Sequence, residues 1–335
     1  MKKKSLLLFF LTLLSTSWCI GGSHARCSMI DSFGIFEVSM DYLFSNYFLD
    51  ASIMRKIDGK MVHYCDEGDG PVLLLLHGFT ASLHTWNGWV KALEGKYRII
   101  RLDIIGFGIT GPSKTKTYSR DDWVRFVHNF VNKLGLDTFS IAGNSLGGYI
   151  AWNYANDYPQ KVNKLILLDP VGYPQDAPLL LNLACFPVVG EIAKVMIPRI
   201  MVKLCLNDVY GDKSRVTENL VDIYFDMARR PGAKKAYIDI FRKMKSAGKR
   251  PDIGGDIINL KKPTFLMWGV KDRWVPVSLV KRWRKDVQHV IVKLYPELGH
   301  IPMEENPCLT AKDADIFLSN QFIKAKKLLQ DDMTQ

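Results

Sequence analysis

Phe139-Ser-Ile-Ala-Gly-Asn-Ser-Leu-Gly-Gly-Tyr-Ile150 decides how the rest of the chain is read. Its centre, Gly143-Asn144-Ser145-Leu146-Gly147, fits the pattern G-x-S-x-G. Lifting a serine hydroxyl out of a strand-to-helix turn requires a strained backbone at the serine. The residues two before and two after it must then be small, or their side chains collide across the turn. The flanks suit such a turn: Thr138–Ala142 is a short β-prone apolar run, and Leu146–Asn156 reads as a helix stopped near Pro159. A glycine-rich turn whose serine only caps the helix is the competing reading, and the strand–turn–helix context weighs against it.

Outward from this stretch, strands alternate with helices. Residues 53–66 suggest two strands around Asp58-Gly59. Val72–Leu76 is a continuous apolar run, the pattern of a strand buried on both faces, and Tyr97–Leu102 and Lys164–Leu168 read as further strands of the same sheet. Arg120–Leu134 has helical spacing. Between Gly172 and about Gly255 the alternation stops, and the segment carries helical runs and prolines but no central strand. Pro263–Trp268 and His289–Leu294 resume the strand pattern, and a last helix is expected from Pro307 to about Leu329. The expected fold is α/β: a doubly wound, mostly parallel sheet from 55–172 and 254–335, split by a helical lid at 173–253.

A serine nucleophile needs a general base, and the base needs an orienting carboxylate. Asp272 in Trp268-Gly-Val-Lys-Asp-Arg-Trp-Val-Pro276 and His300 in Glu297-Leu-Gly-His-Ile-Pro-Met-Glu-Glu-Asn-Pro307 both follow expected strands. Sites of open α/β sheets form at that carboxyl edge, where Ser145 also falls. Asp169, after the preceding strand, is the rival acid. Asp103 is read as stabilising its turn and His77 as a hydrogen-bonding residue of its loop. His63, His84, His128 and His289 have no motif context.

Together, His77-Gly78-Phe79, Asp103-x-x-Gly-Phe-Gly108, Gly143-Asn-Ser-Leu-Gly147, Trp268-Gly-x-x-Asp272 and Gly299-His300 resemble the α/β-hydrolase superfamily, in its capped esterase, haloperoxidase-like and C–C hydrolase branch. The resemblance runs from about Arg55 to the C-terminus. It implies Ser145 as nucleophile, His300 as base, Asp272 as orienting acid, and the N–H groups of Phe79 and Leu146 as an oxyanion hole. Related dehalogenases and epoxide hydrolases carry an aspartate at the elbow, so Ser145 argues for an acyl-enzyme. The implied reaction is hydrolysis of a small hydrophobic ester-like substrate, with no metal or organic cofactor required. Asn144 is similar to meta-cleavage-product C–C hydrolases, whereas Ile301 and Phe79-Thr80 depart from them. Asn144, Trp86 and Trp274 are candidate substrate-binding residues. A non-catalytic ligand-binding or signalling protein of the same fold is the alternative from another class.

The chain has 335 residues, 47% hydrophobic and 24% charged, enough for one α/β domain with an insertion. Its net charge of +11 is scattered, and no basic run alternates with aromatics, so nucleic acid is not an expected partner. Lys2–Lys4, the apolar run Leu6–Leu14 and the small residues of Ser23-His24-Ala25 follow the order of a secretory signal, taken as residues 1–25. An uncleaved anchor over Ser5–Gly22 and lipidation at Cys19 remain open. Residues 26–54 form an expected amphipathic extension, with Phe33, Phe36, Met40, Leu43, Phe44, Tyr47 and Phe48 on one helical face. Its polar face carries Asp31, Glu37 and Asp41, which favours packing on the protein body over a membrane surface. Removing Cys19 would leave an odd number of cysteines without C-x-x-C spacing, although a Cys185–Cys205 bridge is compatible with export.

Overall fold

A computed structural model describes residues 31–115, 117–184, 186–248 and 253–320. The expected secretory segment, Cys19, Cys27 and Cys185 lie outside them. Among the described residues no helix is long and apolar enough to cross a membrane.

Helix α1 (Met40–Tyr47) precedes the antiparallel pair β1 (Ser52–Ile57) and β2 (Lys60–Glu67), which turn at Asp58-Gly59. Next come β3 (Val72–Leu76), α2 (Asn87–Ala92), β4 (Arg98–Leu102), α3 (Arg120–Lys133), β5 (Phe139–Asn144), α4 (Leu146–Asp157) and β6 (Val162–Leu168). Five helices then separate β6 from β7: α5 (Leu179–Ala184), α6 (Pro187–Ala193), α7 (Arg199–Val209), α8 (Glu218–Arg229) and α9 (Ala233–Gly248). The sheet resumes with β7 (Thr264–Gly269), α10 (Val280–Asp286), β8 (Ile291–Tyr295), α11 (Pro302–Glu305) and α12 (Pro307–Leu318).

The eight strands form one sheet in the order β1-β2-β4-β3-β5-β6-β7-β8. From β4 to β8 every pairing is parallel, and β2 runs antiparallel to both its neighbours. The apolar runs are explained by burial on both faces. Leu74, Leu76, Ile141 and Leu165 pack with Trp123, Phe130 and Trp152 of α3 and α4. Leu73, Leu75, Ile166 and Phe265 pack on the other side with Trp89 of α2 and Ala311 and Phe317 of α12. Parallel strands need crossovers, and these supply the helices that cover both faces.

One expectation needs correction. The aromatic extension is not one helix: Gly34, at φ +61, breaks it, and Ser39 caps a new helix by accepting the Tyr42 N–H at 3.0 Å. Leu43 is fully buried while Phe36 is 59% exposed, so the expected apolar face does not survive that break. Polar contacts also hold the segment. The Tyr42 and Tyr47 hydroxyls donate to Asp226 Oδ2 at 2.9 and 2.7 Å, and Lys234 Nζ donates to the Gly34 and Ile35 carbonyls at 2.8 and 2.6 Å. The last helix ends at Leu318 within the described residues, where Ser319 closes it and Asn320 turns to φ +62, and the expected continuation from 321 to about 329 lies outside them.

The loop after β4 is organised by a buried array. The Ser52 hydroxyl accepts the Leu49 N–H at 2.9 Å and faces His63 Nε2 at 2.8 Å. His63 Nδ1–H donates to Asp103 Oδ2 at 2.7 Å. Asp103 also accepts the N–H groups of Leu83 and Ile109, both at 2.7 Å. Burial alone would raise the Asp103 carboxyl, but the charge and hydrogen bond of His63 outweigh it and hold the carboxyl at about 2. That depression contributes stability above the ordinary carboxylate range, which is lost as pH falls from about 4 towards 2. Asp103→Asn should therefore lower unfolding free energy at pH 6 by about 2 kcal/mol, at ~1.4 kcal/mol per pH unit of depression. Urea titrations should also show a shallower stability loss between pH 5 and 3 in the variant than in the parent.

Candidate active site

Strand β5 delivers Ser145 at φ 53 and ψ −113, outside the regions an L-residue normally occupies. The flanking glycines explain how the turn closes. A Cβ at Gly143 would lie 2.3 Å from the Gly147 carbonyl oxygen, and one at Gly147 would lie 2.2 Å from that of Leu76. Both contacts are with backbone, which cannot swing aside. The turn is pinned to β6, since the Ser145 N–H donates to the Leu168 carbonyl at 3.0 Å.

The loops after β7 and β8 bring the other two residues to this edge. His300 Nδ1–H donates to Asp272 Oδ2 at 2.8 Å, with both side chains buried. The second oxygen of Asp272 accepts the N–H groups of Trp274 and Val275, at 2.7 and 2.9 Å. Three donors thus fix the carboxylate, leaving the far nitrogen of the imidazole available. Asp169 is also buried here, but Asp272, rather than Asp169, accepts the histidine N–H.

Two cavities meet at this point, sharing Ser145, His300, Phe79, Leu181, Phe241 and Trp274 in their walls. The larger, about 630 Å³, includes Arg120, Asp121, Gln175, Asp176, Lys243 and Lys245. The smaller, about 390 Å³, is walled mainly by apolar side chains, with Met196, Ile197, Met201, Val202 and Leu206 from α7 and the segment before it. The helices between β6 and β7 therefore set the shape of both spaces.

Leu146 is the first residue of α4, so its N–H has no acceptor within the helix. The Gly78 loop lies against the serine: a Cβ there would be 3.4 Å from that of Ser145. His77 fixes this loop. Its Nδ1–H donates to the Gly78 carbonyl at 2.7 Å and its Nε2 accepts the Ile104 N–H at 3.0 Å. Burial lowers the His77 pKa, consistent with a neutral ring that both donates and accepts.

Of the expected substrate-binding residues, Trp274 and Asn144 line the cavities and Trp86 does not. Trp86 is fully buried, 5.1 Å from the Trp89 ring in the core beneath α12, because the chain turns inward through Leu83–Trp86. The Asn144 amide nitrogen is already committed. Its Nδ2 donates to the Leu168 and His300 carbonyls at 3.1 and 2.9 Å, bracing the serine strand against the histidine loop.

Two acidic residues were not singled out from the sequence. Glu305, five residues after His300, accepts the N–H groups of Gly299, Gly211 and Asp212 at 2.8, 3.0 and 2.8 Å. Asp208, on α7, accepts the Trp274 indole N–H at 2.9 Å. The Glu304-Glu305 pair in the first turn after the histidine was the available signal; nothing local marks Asp208. Among the described residues, Asp169, Asp272 and His300 are the group whose nitrogen and oxygen atoms converge closely enough to resemble a metal site, within 4.8 Å. The nitrogen and oxygen that His300 and Asp272 give each other count against that use.

The family model of the alpha/beta hydrolase fold matches residues 71–185. The chain is 29% identical over 266 residues to monoacylglycerol lipase ABHD6 of Homo sapiens, covering 76% of this chain and 77% of that one. It is 25% identical over 250 residues to 2-hydroxy-6-oxo-2,4-heptadienoate hydrolase of Pseudomonas putida, covering 72% of this chain and 87% of that one. A crystal structure of the meta-cleavage product hydrolase CumD superposes with a TM-score of 0.72 at 24% identity, over 82% of this chain and all of the other. The glycine-flanked serine at positive φ, the wound sheet around it and these similarities all support the α/β-hydrolase superfamily and its fold.

Proposed function

We propose that the protein is a serine hydrolase that cleaves a carboxylic ester, or a similar acyl bond, of a hydrophobic substrate through an acyl-enzyme. One observation carries the reading: a buried imidazole held by a carboxylate shares its cavities with a serine on a strained strand-to-helix turn. In this mechanism Ser145 attacks the carbonyl carbon while His300 Nε2 takes its proton. The imidazolium is stabilised by Asp272 and then protonates the leaving alcohol. Water, deprotonated by His300, releases the acid and regenerates Ser145. The N–H groups of Leu146 and Phe79 serve the oxyanion, and each such donor is typically worth about 2.7–4 kcal/mol in the transition state.

The two cavities suggest a division of labour. The apolar space accommodates the acyl chain, and the larger space with Arg120, Gln175 and Lys243 accommodates the alcohol part. The similarity to a monoacylglycerol lipase favours a lipid-like ester. A C–C hydrolase of the meta-cleavage-product type is the second reading, favoured by Asn144 and by the similarity to the Pseudomonas hydrolase. Export is proposed as well, on the charge–apolar–small order of residues 1–25.

Each part has its own test. A fluorophosphonate probe should label the wild type at Ser145. Ser145→Ala should abolish labelling and lower p-nitrophenyl ester turnover by at least about 10⁴-fold; normal turnover by the variant would end the serine-hydrolase reading. Across a panel of esters graded by acyl length, together with a 2-hydroxy-6-oxo-dienoate, kcat/KM should rise with apolar acyl length before the cavity fills. Preference for the dienoate would select the second reading instead. N-terminal sequencing of the mature chain should begin near Arg26, and an intact Met1 would refute cleavage.

A further inference from the structure

The mechanism leaves one buried carboxyl beside the site without a role. Asp169 ends the path of β6, is fully buried, and has a positive φ of 45, unusual for a residue with a side chain. Its Oδ1 accepts the Gly269 N–H at 2.9 Å. Among the described residues no N–H or neutral hydroxyl is placed to donate to Oδ2. A buried carboxylate oxygen without a donor is costly, whereas the hydroxyl of a carboxylic acid in the same position needs only an acceptor.

That acceptor is at hand, since Asp169, Asp272 and His300 each direct a nitrogen or oxygen into a space no more than 4.8 Å across. Two ionised carboxylates this close repel each other, so one proton between them is favoured. Asp272 accepts three N–H groups and Asp169 accepts one, which assigns the negative charge to Asp272 and the proton to Asp169. We infer that Asp169 is a neutral carboxylic acid that donates through Oδ2 to the Asp272 carboxylate, making it a positioning residue for the acid that orients His300. Four titratable groups bear on it: Asp272 and His300 from the loops after β7 and β8, Tyr295 from β8, and Glu305 from α11. Burial first, and then the charge of Asp272, raise the Asp169 carboxyl well above the usual range, with the Gly269 N–H opposing them.

The inference rests on the Ser145–His300–Asp272 reading, and it deepens that reading in two ways. The extra donor restrains the Asp272 carboxylate, and a neutral neighbour keeps one negative charge rather than two beside His300. Asp169 also becomes a latent partner for the histidine, able to ionise if Asp272 is neutralised.

Steady-state kinetics of four variants test this. Asp169→Leu, which keeps bulk but cannot donate, should lower kcat about tenfold with KM within about twofold, and Asp169→Asn, whose amide can donate, should restore most of the loss. Asp272→Asn should retain residual turnover, and Asp272→Asn combined with Asp169→Asn should cut that residue at least a further tenfold. Equal kcat for the Leu and Asn variants, or equal turnover for Asp272→Asn and the double variant, would overturn the inference.

A thermal measurement is independent of turnover and decides the matter if Asp169→Leu fails to fold. Because the folded carboxyl is raised, the wild type loses stability as pH climbs from about 4 towards the folded value. The melting temperature of Asp169→Asn minus that of the wild type should therefore rise with pH between 4 and 8, and a flat difference would refute the neutral acid. Turnover surviving in Ser145→Ala would defeat the hydrolase reading alone, leaving this thermal comparison to judge Asp169.

Discussion

Standing a serine clear of a sheet requires its backbone to reverse within one residue, and the site depends on that reversal. Ser145 is held at positive φ, a conformation that costs roughly 1–3 kcal/mol and persists only when its surroundings over-determine it. Here they do. The Ser145 N–H is bound to the Leu168 carbonyl, and the Val171 N–H donates back to the Ser145 carbonyl at 3.2 Å. Gly143 and Gly147 let the strand and helix approach backbone to backbone. The strain yields a hydroxyl at the junction of two cavities and a free N–H at the head of α4.

Buried carboxylates do much of the remaining organisation, each at the carboxyl end of the sheet and each satisfied by backbone N–H groups. Asp103 fixes the turn after β4, Asp272 the histidine, and Glu305 the loop that carries it. Among the described residues two His–Asp pairs have similar hydrogen-bond geometry: His63–Asp103, which Ser52 adjoins, and His300–Asp272, which shares its cavities with Ser145. Side-chain identity does not separate them. Backbone and access do: Ser145 sits on the strained elbow and opens to both cavities, whereas Ser52 lies on edge strand β1 and lines neither.

The helices over the site are joined to its base. The His300 N–H donates to the Val209 carbonyl at 2.7 Å, and Gly211 and Gly299 permit an approach that a Cβ at either position would block. Glu305 ties the same two segments through three N–H groups, and Asp208 holds Trp274. The N-terminal extension grips the other side of this layer through Asp226 and Lys234. The elements that shape the cavities are therefore mechanically continuous with the loop that carries His300.

Much of this was legible before any coordinates. The wound sheet followed from apolar runs such as Val72–Leu76, because burial on both faces removes the usual alternation. The elbow followed from the steric demand on Gly143 and Gly147, and Asp272 and His300 from their places after strands. Local pattern determines these features because each rests on its own residues and their immediate neighbours. Other features rested on partners far along the chain. The extension looked like one amphipathic helix, but its attachment depends on Asp226 and Lys234. Trp86 looked like a pocket residue until the packing of α12 enclosed it. The orphaned oxygen of Asp169, the brace from Asn144 and the clasp at Glu305 arise only when four strand ends converge. Sequence spacing alone determined which chemistry the sheet edge could hold; three-dimensional packing decided which buried groups converge, which hold a loop, and which line the cavities.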